Sequence, residues 1–238
     1  MPALEANAYR VRVIQLLVHE IPHRALAQII DSAQGLRGHL AEFEVQRMMT
    51  NLLSLHLPSP ELVDWNVALK HPALDSQFIP DIQIKDVHRE LWAAYEVKTL
   101  FRGGELDLST ALADLDKLVA YKSHYPYLAC FFWLVADSHM LSDARRASHW
   151  AETPLAYDAN SFAQRTAPRI IDEAAETKYV ARPAMSSADG QVSCYAWEIL
   201  PLDQLRSDTN YDFHFEAVMS GAVLQTRQPS PACASVQS

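Results

Sequence analysis

The chain has 238 residues, 49% of them hydrophobic and 21% charged, and a formal net charge of −9. That length suits one domain with a substantial core, and no uninterrupted apolar run approaches the ~20 residues that span a bilayer. Cys130, Cys194 and Cys233 are widely separated with no CxxC, and no signal-peptide order opens the chain, so a cytoplasmic home is expected.

Residues 4–57 read as helices. Val11, Ile14, Leu17 and Val18 mark one apolar face; Ala25, Ile29 and Ile30 mark another beyond a break at Pro22. Gly35 and Gly38 precede a helix over 40–56, which Pro58-Ser59-Pro60 stops. Strands are predicted over 62–69, 78–85 and 91–100, with His71-Pro72 and the polar stretch 86–90 as turns. Gly103-Gly104 opens a loop into a helix over 109–123, N-capped by Ser109, with Leu112, Leu115, Leu118, Val119 and Tyr121 facing inward. The apolar run 127–136 has the length and aromatic content of a central strand buried on both faces. Strand, helix, strand here predicts a right-handed crossover.

Further helices are expected over 142–150 and 169–177, a strand over 192–200 and a closing helix over 213–224. The fold class is therefore α/β, a mixed central sheet flanked by helices. The predicted organisation is an N-terminal helical extension (1–34), an α/β core (35–136), a C-terminal α/β elaboration packed on it (137–226), and a disordered Pro/Ser/Ala-rich tail (227–238).

The chemistry concentrates in two of these strands. Asp81 follows Pro80 at the head of one, and Glu96-Val97-Lys98 lies inside the next. Strand side chains alternate between faces, so Glu96 and Lys98 project together while Leu91, Ala93, Tyr95 and Val97 form the opposite, apolar face. A neighbouring strand carrying Asp81 brings a second carboxylate beside Glu96. A Glu-x-Lys triplet alone means little, since average composition yields about one by chance in a chain of this size. A lysine on a half-buried strand is informative, because an unpaired buried charge is costly. Two carboxylates and an amine at one spot suit a hard divalent cation and the activation of water.

Helix, strand, strand with Pro-Asp, strand with Glu-x-Lys, helix, strand resembles the PD-(D/E)XK nuclease superfamily. The residues that carry the resemblance are Glu42, Pro80-Asp81 and Glu96-Val97-Lys98, over roughly 36–136. Gly38-His39-Leu40-Ala41-Glu42 also resembles the opening of the first helix in archaeal-type Holliday-junction resolvases. The resemblance implies a restriction-endonuclease-like core and a metal-dependent endonuclease acting on DNA, of restriction, defence or junction-resolving type, with homodimers common. It implies Mg²⁺ or Mn²⁺ held by Asp81, Glu96 and the Val97 carbonyl, and Lys98 orienting or helping to deprotonate the attacking water. Gln83 shares the Asp81 face and could touch substrate.

Glu42 and Glu44 both flank the buried face of the first core helix, defined by Val45, Met48, Met49, Leu52 and Leu53. Glu42 lies nearer its centre; its alternative reading is an acid at a helix N-terminus. Asp114, Asp116, Lys117 and Lys122 read as a solvated helix face. Against a cutter stand the acidic balance and the lack of a Lys/Arg stripe with interleaved aromatics. They motivate the alternative of a catalytically inactive nuclease-fold protein serving as an immunity or assembly factor.

His19-Glu20-Ile21-Pro22-His23 has the letters of a zinc-protease helix. Pro22 removes an amide and clashes with the preceding turn, at ~3 kcal/mol or more inside a helix. A proline-broken helix with exposed histidines is expected instead.

Overall fold

The structure, a computed structural model, describes residues 41–56, 62–67, 79–85, 91–101, 107–126, 128–147, 153, 155, 169–171, 178–189 and 192–203. The expected helices over 4–32, the His19–His23 motif, the helix over 213–224 and the tail lie outside these residues. The chain divides into two compact units, Met1–Pro201 and Leu202–Ser238. The elements below belong to the first.

Their order is α1 (Glu42–His56), β1 (Val63–Trp65), β2 (Ile82–Lys85), β3 (Leu91–Leu100), α2 (Leu108–His124), β4 (Ala129–Asp137), α3 (Ser138–Ala147), β5 (Arg169–Ile170), β6 (Tyr179–Asp189) and β7 (Val192–Pro201). The strands form one seven-stranded sheet in the order β1-β2-β3-β4-β7-β6-β5. β3 and β4 are parallel, joined through α2, and the other neighbours are antiparallel. The architecture is α/β, a mixed and mostly antiparallel sheet flanked by helices.

β4 is the spine. From Ala129 to Ala136 it is buried, because both of its faces are covered. Phe131, Trp133 and Val135 join Tyr95 and Val97 of β3 and Val45, Met49 and Leu53 of α1. Cys130, Phe132, Leu134 and Ala136 join Ala111, Leu115, Leu118 and Tyr121 of α2, with Trp197 and Ile199 of β7. Each large apolar side chain so buried stabilises the fold by about 1.5–3 kcal/mol. The 3.6-residue period of α1 and α2 supplies one apolar stripe apiece, which places one helix on each face of the sheet.

Several local expectations change. β1 is shorter than 62–69: Asn66 takes a left-handed backbone (φ 52°), which asparagine tolerates, and ends it. Asp107, not Ser109, caps α2; its side chain accepts from the Ser109 N–H at 2.9 Å. A carboxylate holding these donors has its pKa lowered to about 2, chiefly by the Thr110 and Ser109 hydroxyls. The helix after β4 begins at Ser138, four residues earlier than expected, with Asp137 accepting from the His139 and Met140 N–H groups. Arg169–Ile170 is a strand pairing with β6 rather than the start of a helix.

On β3 the alternation slips near its start. The pairing with β2 is irregular between Ile84 and Lys85, so Leu91 packs on the α2 side and Trp92 on the α1 side. From Ala93 onward the expected alternation holds. Cys130 and Cys194 are buried, and burial pushes the Cys130 thiol up to about 12.

Candidate functional site

β2 begins at Ile82, opposite Tyr95, while β3 runs on to Leu100. Over Glu96–Leu100, β3 keeps β4 on one side and extends beyond β2 on the other. The residue before β2 is Asp81, which the same register places opposite Glu96. Its backbone carbonyl accepts from the Asn66 N–H at 3.0 Å, and its Oδ2 accepts from the Val97 N–H at 2.7 Å. Asp81 thus caps the free edge of β3. In an extended strand the N–H and C=O of one residue share an edge, so the Val97 carbonyl points the same way.

Glu96 and Lys98 project from β3 toward α2, on the face opposite Tyr95 and Val97. Two residues of α2 meet them. Asp114, 2% exposed, pairs through Oδ2 with Lys98 Nζ at 2.7 Å and through Oδ1 with Lys117 Nζ. Lys117 Nζ lies 3.6 Å from Glu96 Oε2. The expectation of a solvated charged face on α2 is therefore corrected for Asp114 and Lys117. Lys122 is also buried and donates to the Leu128 carbonyl at 2.6 Å, and only Asp116 of the four is exposed.

α1 reaches the cluster from its first turn. Glu42 Oε1 is 3.4 Å from Lys98 Nζ and accepts at 3.4 Å from Gln46 Nε2. Glu44 instead folds back on its own helix and accepts from the Ala41 N–H at 3.2 Å. Of the two glutamates, Glu42 meets Lys98 and Glu44 serves the helix N-terminus. Gln83 is buried, with Nε2 donating to the Val67 carbonyl at 3.1 Å and Oε1 lacking a hydrogen-bond partner among the described residues.

The described cluster holds four carboxylates (Glu42, Asp81, Glu96, Asp114) and two amines (Lys98, Lys117). With all four acids ionised the carboxylates would outnumber the amines by two, and the titration of the group opposes that state. Burial first, then the Glu42 charge against the Val97 N–H bond, pushes the Asp81 carboxyl up to about 6. Burial, then the charges of Asp81 and Asp114, holds Glu96 well above the carboxylate range. Glu42 is raised mainly by burial, opposed by Lys98. Burial pulls both lysines down, but hydrogen bonding to Asp114 and the surrounding carboxylates outweigh it, so both amines rise and stay charged.

Glu96 Oε1 is buried with no hydrogen-bond partner among the described residues, an unmet polar atom within the cluster. Among the described residues no three His, Cys, Asp or Glu side chains gather closely enough to hold a metal by themselves. Mg²⁺ needs less, since it keeps several waters and takes one or two carboxylates. Asp81, Glu96 and the Val97 carbonyl form an all-oxygen set of that kind, and the unmet Oε1 and the excess of carboxylates over amines fit a hard divalent cation.

No helix among the described residues is long and apolar enough to cross a membrane. No protein-family model, curated protein or solved structure matches this chain.

Proposed function

We propose that this chain is a divalent-metal-dependent endonuclease of the PD-(D/E)XK type that hydrolyses DNA phosphodiester bonds. The observation that carries the reading is the convergence of Asp81, Glu96 and Lys98 where β3 outruns β2, in a cluster of four carboxylates and two amines. The order α1-β1-β2-β3-α2-β4, with β3 and β4 parallel, also agrees with the core that the resemblance implies.

Mg²⁺ or Mn²⁺ on Asp81, Glu96 and the Val97 carbonyl would supply a Lewis acid for charge building on the phosphate. The chain's own residues divide the remaining work. Lys98, held charged between Asp114 and Glu42, acts as an ammonium donor that orients the attacking water and faces the developing negative charge. A raised lysine is a poor base at neutral pH, so its role is positioning and charge. Glu42 fixes the Lys98 amine from the α1 side. A two-strand cut at a two-fold symmetric site calls for two such centres, hence a homodimer on DNA.

The direct test is incubation of the chain with plasmid and linear DNA in Mg²⁺ or Mn²⁺. Asp81→Ala and Lys98→Ala should each abolish cleavage while the fold persists. Cleavage that survives both substitutions places the chemistry elsewhere.

A second reading has its own observation. Both site amines are tied to internal carboxylates, and the chain is acidic. A catalytically inactive nuclease-fold protein that binds a protein partner fits these facts. It predicts metal binding or none, but no cleavage of any nucleic acid under any divalent ion.

A further inference from the structure

The two lysines of the cluster are not equivalent. Lys98 sits 15% exposed between Asp114 and Glu42, and its amine has a carboxylate on either side. Lys117 is 34% exposed and reaches inward to a Glu96 that is only 1% exposed. At 3.6 Å the Lys117–Glu96 contact is an ion pair without a good hydrogen bond, whereas Lys117 and Asp114 are in direct contact. An ionised Glu96 is therefore compensated at a distance, by a side chain that belongs mainly to Asp114.

Resting on the nuclease reading, we propose that Lys117 is the resident counter-cation of ionised Glu96, which yields that carboxylate to an incoming divalent ion. The physical reason is competition for one carboxylate. An ammonium and a divalent ion that share Glu96 repel each other, and in a water-poor pocket that repulsion is weakly screened. Lys117 is the partner able to give way: its stem is flexible, its side chain is about a third open to solvent, and Asp114 keeps it paired from the preceding turn of α2. Glu96 cannot move out, since it is fixed in a strand between β4 and the Asp81 edge. Lys117 thereby lowers the affinity for the cation and compensates Glu96 whenever that carboxyl ionises in the cation-free protein.

The experiment is titration of the full-length protein with Mn²⁺, followed by calorimetry and by the electron paramagnetic resonance of free Mn²⁺, at one mildly alkaline pH and low salt. Lys117→Met keeps most of the stem and removes the charge, so Mn²⁺ should bind about tenfold or more tightly. Lys117→Arg keeps the charge and should bind as the wild type does. Equal affinity in wild type and Lys117→Met, or tightening in Lys117→Arg as well, overturns the counter-cation role and leaves the nuclease reading standing. Loss of Mn²⁺ binding in Lys117→Met also overturns it. Absence of Mn²⁺ binding from the wild type, Lys117→Met and Asp81→Asn alike overturns both.

Discussion

Asp114 Oδ2 lies 2.7 Å from Lys98 Nζ, joining the middle of α2 to the face of β3 that carries Glu96. The same carboxylate also holds Lys117, so one buried acid ties together the two amines of the cluster. Removing one partner of a buried pair leaves the other charge uncompensated, which is worse than never having had the pair.

Asp114→Ala should therefore destabilise the fold by about 2–4 kcal/mol, since it leaves Lys98 to the 3.4 Å contact with Glu42 and Lys117 to the 3.6 Å contact with Glu96. Denaturant unfolding with Asp114→Ala and the double variant Asp114→Ala/Lys98→Met measures this. The double variant should recover part of the loss, because it removes the poorly paired Lys98 charge. No recovery would mean that Asp114 stabilises α2 by another route.

Asp81 gives a pH signature whose sign is fixed by its shift. Its carboxyl rises from 3.8 to about 6 on folding, so its contribution is fully present below about 3.8 and is lost as pH rises through about 6. Asparagine cannot ionise and can still accept from the Val97 N–H. Asp81→Asn should match the wild type near pH about 4 and exceed it by about 1–3 kcal/mol near neutrality, in metal-free buffer. A constant offset between the two across that range would show that Asp81 does not titrate in the folded protein as described.

Cation binding should carry the opposite pH trend. Asp81 and Glu96 are held partly or largely protonated by burial and by neighbouring carboxylates, and a metal takes only the ionised forms. Mn²⁺ affinity should climb steadily from mildly acid to mildly alkaline pH, with proton release detectable as a buffer-dependent heat. An affinity that is flat over that range would rule out these two carboxylates as ligands.

Glu42 and Glu44 are separable by one pair of variants. Glu44→Gln weakens the contact with the Ala41 N–H and should cost about 0.5–1 kcal/mol of stability without altering cleavage. Glu42→Gln loosens the Lys98 amine, at 3.4 Å and partly exposed, so its stability cost is about 1 kcal/mol or less. Its effect should fall on kcat for DNA cleavage, by about tenfold. Equal kinetic effects of the two variants would remove Glu42 from the site.

The local pattern of the sequence was enough to find most of the core elements and the face they share. The continuous apolar run at Ala129–Ala136 predicts a strand covered on both sides, and alternation along β3 puts Glu96 and Lys98 together away from Tyr95 and Val97. These follow from periodicity, which is a property of neighbours in the chain. What lies between strands was not legible. Tyr179–Asp189 has little β-branched character and contains Pro183, yet it forms β6 because β7 offers it a full antiparallel partner.

The site divides in the same way. Asp81, Glu96 and Lys98 could be named from their places in predicted strands, and their letters are informative because a half-buried strand excludes idle charge. Asp114 and Lys117 could not, since acids and lysines on a helix ordinarily face water. Only the docking of α2 on β3 turns that charged face inward, and the one available signal was a three-residue spacing to Lys117 along the stripe beside Leu118 and Tyr121. Sequence determined which face of each element is apolar. Tertiary structure decided which charges that face would trap, because burial and pairing depend on a partner supplied from elsewhere in the chain.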